Sequence, residues 1–482
     1  MNIRLILNFI GVVLTFISFF MIFPLIVSFI YEQPDKLPLI WSFAITLATG
    51  LILYVSTKRH EREDVRHREA FVIVTSAWVI MSLFSCIPFL LSGTFASFTD
   101  AYFESMAGFT TTGASVLNDI SAAPRGVLFW RSMTQWIGGM GIIVFALAIL
   151  PLLGTGGMQL FRAEVPEISV DKLRPRIIDT AKALWLIYLS LTAADAVLLY
   201  IAGMDFYDAL CHAFTTMATG GFSTKNASIG HFDSAAIDYI TGFFMLLSGV
   251  NYSLYFYVFK GSFSKLWTSD EFRFYITVAA ISTLLITLGI WRSSYESIAE
   301  SFRYSFFQVI SIMTTTGYAT ADFEQWAPLA QALLIILMFF GGMIGSTGGG
   351  IKQVRILLMI RQGFREMNQL IHPRAVTSVK LDDKFLDKEI LGSIWGLVFL
   401  FLGVCAVATV GMAAMGIDII TSTTTVITAM CNVGPALGEA GPAENFASLP
   451  TAGKWILIFC MLTGRLEVYT VLILFVPHFW KK

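Results

Sequence analysis

Charge is what this 482-residue chain has least of. Only 13% of its residues are Asp, Glu, Lys or Arg, about half the share in a soluble globular domain. With 56% hydrophobic residues and a mean hydropathy of +0.72, that scarcity excludes a water-soluble fold and implies a polytopic membrane protein. Cysteine is short too. The five present (Cys86, Cys211, Cys405, Cys431, Cys460) stand singly, so neither a zinc ribbon nor a disulfide framework fits and buried free thiols are expected. The six histidines (His60, His67, His212, His231, His372, His478) lie mostly near loops without metal-ligand spacing, and a membrane enzyme would need a His, Asp or Glu cluster within its spans. A cleavable leader is not expected, because the apolar run from Arg4 to Tyr31 outlasts the ~7–15 residues of a signal core.

Long apolar runs are plentiful, and about 20 such residues cross a bilayer. Segments 5–31 and 38–56 form an opening pair. Thereafter a four-part pattern recurs: long helix, short helix, a polar break ending in glycine, second long helix. The predicted helices are 71–92, 101–110 and 127–152, then 183–203, 206–217 and 237–259. The third set is 273–291, 302–313 and a helix from 327; the fourth is 389–414, 420–430 and 453–477. That makes about ten spanning helices and four half-length ones. The breaks read Thr110-Thr111-Thr112-Gly113-Ala114, Ala218-Thr219-Gly220-Gly221-Phe222, Thr314-Thr315-Thr316-Gly317-Tyr318 and Cys431-Asn432-Val433-Gly434-Pro435. They recur at roughly one hundred residues, the mark of an internal repeat. The boundaries implied are 1–69, 70–181, 182–272, 273–388 and 389–482.

The loops carry an asymmetric charge. Twenty-one Lys and Arg lie in loops on the side away from the glycine breaks, against four (Arg125, Lys225, Arg292, Arg303) on the glycine side. By the positive-inside rule the breaks open outward and both termini are cytoplasmic. A helix that stops halfway and returns as extended chain is tolerated in lipid only around a watery cavity or within protein. Glycine lets successive carbonyls turn toward one axis, and rings of carbonyls replace the hydration shell of a cation. The short helices would aim their partly negative C-termini at the same point. One such turn would merely connect helices, whereas four in the same slot indicate a pore.

These four segments, with Gly345-Ser346-Thr347-Gly348-Gly349-Gly350-Ile351-Lys352 and Gly464-Arg465-Leu466-Glu467, resemble the Trk/Ktr/HKT superfamily of potassium transporters along essentially the whole chain. The similarity is to its bacterial Trk-type membrane subunit. It implies an all-α fold of four pseudo-fourfold helix–half-helix–filter–helix repeats plus an N-terminal helix pair, in the bacterial inner membrane. It implies potassium as the ion handled with no organic cofactor, a homodimer, and a cytoplasmic nucleotide-binding regulatory partner of the RCK type, with lipid around it and no nucleic acid. Potassium-binding filter positions carry over to Thr111, Thr112 and Gly113, to Thr219, Gly220 and Gly221, to Thr315, Thr316 and Gly317, and to Asn432, Val433 and Gly434. The fourth segment departs furthest, which predicts modest rather than maximal selectivity, and Gly113 stands where sodium-conducting relatives carry serine. Symport of potassium with a proton or sodium through the same pore is the alternative.

The glycine cluster cannot sustain a helix, each glycine costing about 1 kcal/mol relative to alanine. It lacks the Gly-Lys-Ser/Thr of a phosphate loop, so residues 341–352 read as an intramembrane loop. The charge of Lys352 would add a cationic barrier, and the family resemblance makes the loop a gate formed by Gly345, Ser346, Thr347, Gly348, Gly349, Gly350 and Lys352. Arg465 is a charge within the last span, where charges face water or a partner. The resemblance puts it in the pore, and a strut to an acidic group is the rival. Asn251 and Tyr252 are candidates for the pathway or for polar packing. Gly138, Gly139 and Gly141 suggest a packing surface, and the mixed-charge loop 157–182 a solvated face or a docking surface for the regulatory partner. Only one long helix is predicted to be broken, which argues against alternating access between paired broken helices.

Overall fold

Three of the four short helices begin where the sequence supplies a side-chain cap. Ser97 accepts from the Thr99 amide at 3.2 Å, Asp205 from Tyr207 at 3.2 Å, and Asp418 from Ile420 and Thr421 at 2.9 and 3.0 Å, each satisfying amides that an isolated helix start leaves orphaned. The structure, a computed structural model, describes residues 1–57, 66–148, 173–374, 378–382 and 384–481.

An opening trio, α1 (Ile3–Phe20), α2 (Ile22–Ile30) and α3 (Lys36–Thr57), precedes four units. The first comprises α4 (His67–Ser85), α5 (Ile87–Leu91), α6 (Phe98–Phe109) and α7 (Arg125–Ala148). The second comprises α8 (Leu173–Ile201), α9 (Phe206–Met217), α10 (Ala235–Ser248) and α11 (Tyr252–Phe259), followed by a short α12 (Ser264–Thr268). The third has α13 (Asp270–Ile290), α14 (Ile298–Met313), α15 (Pro328–Phe339) and α16 (Gln353–Ile371). A two-stranded hairpin at 380–385 leads into the fourth: α17 (Lys388–Ala413), α18 (Ile419–Cys431), α19 (Thr451–Arg465) and α20 (Val468–Leu472).

Among the described residues six helices are long and apolar enough to cross a membrane, or seven if the bent pair in the last unit is one span. That is fewer than the ten or so expected, and the second helix of three units is interrupted, where the sequence reading has one interruption. In the second unit the break lies at Gly249-Val250-Asn251, between α10 and α11; in the third it is the 340–352 loop; in the fourth it lies at Leu466-Glu467, where the chain turns by 118°. Glycine stands at each break: Gly249 and Gly341-Gly342 within the first two, and Gly464 just before the third. Pieces shorter than a span account for the second helices of those three units; α7, at 24 residues, is long enough but is not among the six, its middle carrying the polar Arg131 and Gln135. The end of the predicted 127–152 helix and most of the 157–182 loop lie outside the described residues.

The packing is inverted relative to a water-soluble protein. Phe399 and Val407 on α17 are 76% and 75% exposed, whereas all of Thr110–Thr112 and Thr314–Thr316 are at 0%. Apolar side chains outside and hydroxyls inside suit a lipid solvent around a polar centre. All five cysteines are buried and unpaired. The N-terminal trio fastens to this centre through close contacts and caps. Gly11 and Gly50 let α1 and α3 touch backbone to backbone, a Cβ at either meeting main chain within 3 Å. The buried Asp35 carboxylate accepts from the Val127 amide at 2.8 Å and Gln33 from Arg125 at 3.2 Å, which caps α7 from another element. Glu69 accepts from Asn2 at 2.7 Å and Arg68 donates to the Lys481 carbonyl at 2.5 Å, so the two described ends of the chain meet on one face.

Candidate functional site

Each short helix ends in the same way. The amide of residue 111 bonds the Gly108 carbonyl and that of Thr112 the Ala107 carbonyl, both at 2.9 Å. The pairs Thr219→Thr216 and Gly220→Thr215, Thr315→Ile312 and Thr316→Ser311, and Asn432→Ala429 and Val433→Thr428 repeat it at 2.8–3.4 Å. This is a Schellman ending, which needs a left-handed residue just past the helix. Glycine is usual there, yet Thr111, Thr219, Thr315 and Asn432 occupy it with φ of 51°, 54°, 61° and 56°. A β-branched residue in that region costs about 1–3 kcal/mol and persists only where its surroundings hold it. Two residues later Gly113, Gly221, Gly317 and Gly434 are left-handed again, at 78°, 75°, 82° and 113°. The divergent fourth segment follows the same backbone path, with asparagine the better suited residue at its left-handed turn.

The four segments form a closed circuit. A Cβ added to Gly113 would lie 2.1 Å from the Gly220 carbonyl oxygen, one on Gly221 2.0 Å from that of Thr316, and one on Gly317 1.9 Å from that of Val433. Gly434 completes the circle, where an added Cβ would lie 2.9 Å from the Thr112 carbonyl oxygen. The contacts bring together Thr112, Gly113, Gly220, Gly221, Thr316, Gly317, Val433 and Gly434, while Thr111, Thr219 and Thr315 are the left-handed residues of the same segments; Asn432 donates to the Thr112 hydroxyl at 2.9 Å and to the Met461 carbonyl at 3.0 Å.

Buttresses that the sequence reading missed fix this circuit. Nine residues before the glycine stand Glu104, His212 and Gln308, and ten before the fourth stands Thr424. Glu104 accepts from the Ser115 hydroxyl and Val116 amide, both at 2.9 Å; His212 pairs with Ser223 at 2.9 Å; Gln308 accepts from Thr320 at 3.3 Å; Thr424 accepts from Leu437 at 3.1 Å. Each ties the returning chain back to its own helix. Superposing the four repeats on paper exposes a polar residue at this offset, a signal available in the sequence. Two side chains of α7 reach across units. Buried Arg131 pairs with Glu104 at 2.6 Å and donates to the Ser223 carbonyl at 2.9 Å. Gln135 donates to the Gly220 carbonyl at 2.6 Å and accepts from Phe222 at 3.0 Å.

On the C-terminal side of the short helices sits the 340–352 loop. Its neck is closed by Gly341→Ile351 at 2.8 Å and Ile351→Phe339 at 3.1 Å. Its tip touches three units: Thr347 donates to the Met217 carbonyl at 3.1 Å, Gly349 donates to the Thr315 hydroxyl at 2.7 Å, and Gly349 is so close to Cys431 that a Cβ would stand 2.5 Å from its oxygen. It also docks in the break of the second unit, where Met343 donates to Gly249 at 2.8 Å and Tyr252 to Gly345 at 3.1 Å. Asn251, buried, caps α11 by accepting from Ser253 at 2.8 Å and lies against Gly345. Lys352 donates to the Gly348 carbonyl, within the loop.

Arg465, the last residue of α19, donates to the Thr347 carbonyl at 2.7 Å and the Gly138 carbonyl at 3.3 Å. It joins the loop to the first unit and forms no ion pair among the described residues, so the acidic strut is replaced by backbone acceptors. Glu467 pairs instead with Arg355 at 2.7 Å. Gly138 and Gly464 are indeed packing points: a Cβ at either would lie 2.2 or 2.0 Å from the terminal carbonyls of α6 and α18, at Phe109 and Met430. Among the described residues no group of three or more His, Cys, Asp or Glu could hold a metal ion; the oxygens gathered here are carbonyls and hydroxyls, hard donors suited to alkali cations.

The family described as TrkH, cation transport protein, matches residues 39–482. The Trk system potassium uptake protein TrkH of Escherichia coli (strain K12) is 43% identical over the whole of both chains. TrkG of the same strain, also a Trk system potassium uptake protein, is 36% identical over 100% of this chain and 99% of its own. The crystal structure of the potassium transporter TrkH from Vibrio parahaemolyticus superposes with a TM-score of 0.92 at 40% identity, covering both chains fully. These relatives are named as transport proteins, not enzymes.

Proposed function

The chain belongs to the TrkH family of cation transport proteins, and from that premise we propose that it carries potassium into the bacterial cell through a channel-like pore. It is a multi-pass membrane protein; the bacterial inner membrane, with both termini cytoplasmic, is the location proposed. The closed circuit of Gly113, Gly221, Gly317 and Gly434 against the next unit's carbonyl carries the reading. The circuit is the selectivity filter: alternate left-handed residues stagger the carbonyls of each segment, and the C-termini of α6, α9, α14 and α18 add partial negative charge beneath a bound ion. The 340–352 loop, seated against three of the four segments, is the gate, and Lys352 with Arg465 places positive charge where an ion would leave. A homodimer and a cytoplasmic nucleotide-binding partner complete the assembly.

Flux into proteoliposomes of the purified protein, with potassium, rubidium, sodium and lithium in turn, tests this. Potassium and rubidium are expected to pass well ahead of sodium and lithium. Equal passage of all four removes the filter, and potassium uptake that stops when proton and sodium gradients are collapsed replaces the channel with a symporter.

A further inference from the structure

Glu271 is the second residue of α13, 1% exposed, and its Oε1 accepts two backbone amides: Ile344 at 2.9 Å and Val354 at 3.1 Å. Those amides lie on either side of the glycine cluster, one inside the loop and one in the first turn of α16. Without this oxygen both would be buried donors with no acceptor in their own segments, a costly state away from water. An anionic side chain is also well placed at a helix start, where the α16 dipole is positive.

The preceding residue grips the same helix farther along. Asp270 pairs with Arg361 of α16 at 2.8 Å, and its amide and carboxylate exchange bonds with Asp382 of the 380–385 hairpin at 2.7 and 3.2 Å. Arg361 lies seven residues beyond Val354, two helical turns along the same face. One dipeptide on α13 thus holds α16 at its first turn and its third. The loop's other anchors, at Gly249, Tyr252, Thr315 and Arg465, belong to its seat around the pore; Glu271, together with the Gln353 amide that donates to the Gly342 carbonyl at 3.3 Å, joins that seat to the helix leading away from it.

We propose that Glu271 is the latch of the loop, the positioning residue that transmits movement of α16 into release of residues 341–352. The proposal rests on the reading of that loop as a gate. In the closed arrangement one carboxylate oxygen fixes the spacing between Ile344 and Val354. Drawing α16 away from α13 stretches the Val354 bond, and an oxygen that follows Val354 leaves Ile344.

Partner-free potassium flux in proteoliposomes tests this with three proteins beside the parent: Glu271→Ala, Glu271→Gln, and a deletion of residues 345–350. Glu271→Ala should raise flux by about tenfold or more, the scale of losing a buried charge-assisted bond from one side of a two-state equilibrium. Glu271→Gln keeps a neutral acceptor and should rise less, and neither should change the potassium-to-sodium ratio. A Ser346→Cys label, buried at 3% exposure in the parent, should react faster with a thiol reagent in both Glu271 variants. Should Glu271→Ala not fold, Glu271→Gln alone decides by flux and labelling. Parent-level flux and labelling in the Glu271 variants, with raised flux in the deletion, would overturn the latch and keep the gate. Unchanged flux in the deletion would remove the gate and the latch with it.

Discussion

A glycine is irreplaceable for two separate reasons, and the four ring glycines do not share them equally. Gly113, Gly221 and Gly317 are left-handed and also leave no room, a neighbouring carbonyl oxygen lying within 2.1 Å of any Cβ. Gly434 has the more extreme φ, 113°, but 2.9 Å of space. Gly317→Ala should therefore abolish selective flux, while Gly434→Ala retains measurable potassium preference in liposomes; loss at both alike would mean that strain, not crowding, decides. Gly113→Ser is expected to raise sodium permeation several-fold, since the hydroxymethyl group must displace the Gly220 oxygen; unchanged ion ratios would remove Gly113 from the filter. These glycines were legible because they recur. The left-handed threonines were not, because propensity rules against them and only the closed ring enforces them. Gln135 and Arg131 were hidden for another reason: their partners in the second segment lie 85 to 92 residues away, and no local pattern announces such a contact.

At the scale of elements, helix existence and type followed from apolar runs, and α9 (Phe206–Met217) begins and ends where the sequence reading puts it. The breaks at 249–251 and 466–467 did not, because a single glycine inside an apolar run costs only about 1 kcal/mol and does not by itself stop a helix. What stops these is tertiary: the loop seats itself in the first break, and Arg465 turns to meet Thr347 at the second. Arg465→Ala should change flux or ion ratio in the absence of any partner; a variant altered only in yield would make this residue a strut. The N-terminal trio offers the contrasting case. Asp35→Ala strips the cap from α7 and should lower stability by about 1–2 kcal/mol, seen as an earlier thermal transition in detergent, with ion ratios unchanged. A shifted ion ratio would show that the trio sets pore geometry as well as supporting it.

For the molecule as a whole, composition and the spacing of four motifs gave the class, the repeat and the family resemblance, whereas assembly leaves no mark in the pattern of one chain. The proposed homodimer predicts twice the mass of one 53.4 kDa chain by native mass spectrometry of the solubilised protein, and a single-chain mass would remove it. The circuit that begins at Gly113 and closes at Gly434 has a further consequence. A pore assembled from four identical chains receives every substitution four times over. Here a substitution is made once, in one wall, and reaches the others only through its neighbours: exchanging Asn432 for threonine removes its bond to Thr112 in the adjoining first segment and makes no change in the sequence of the other three. On the proposed reading of the ring as a filter, four unequal walls are four separate dials on one ion.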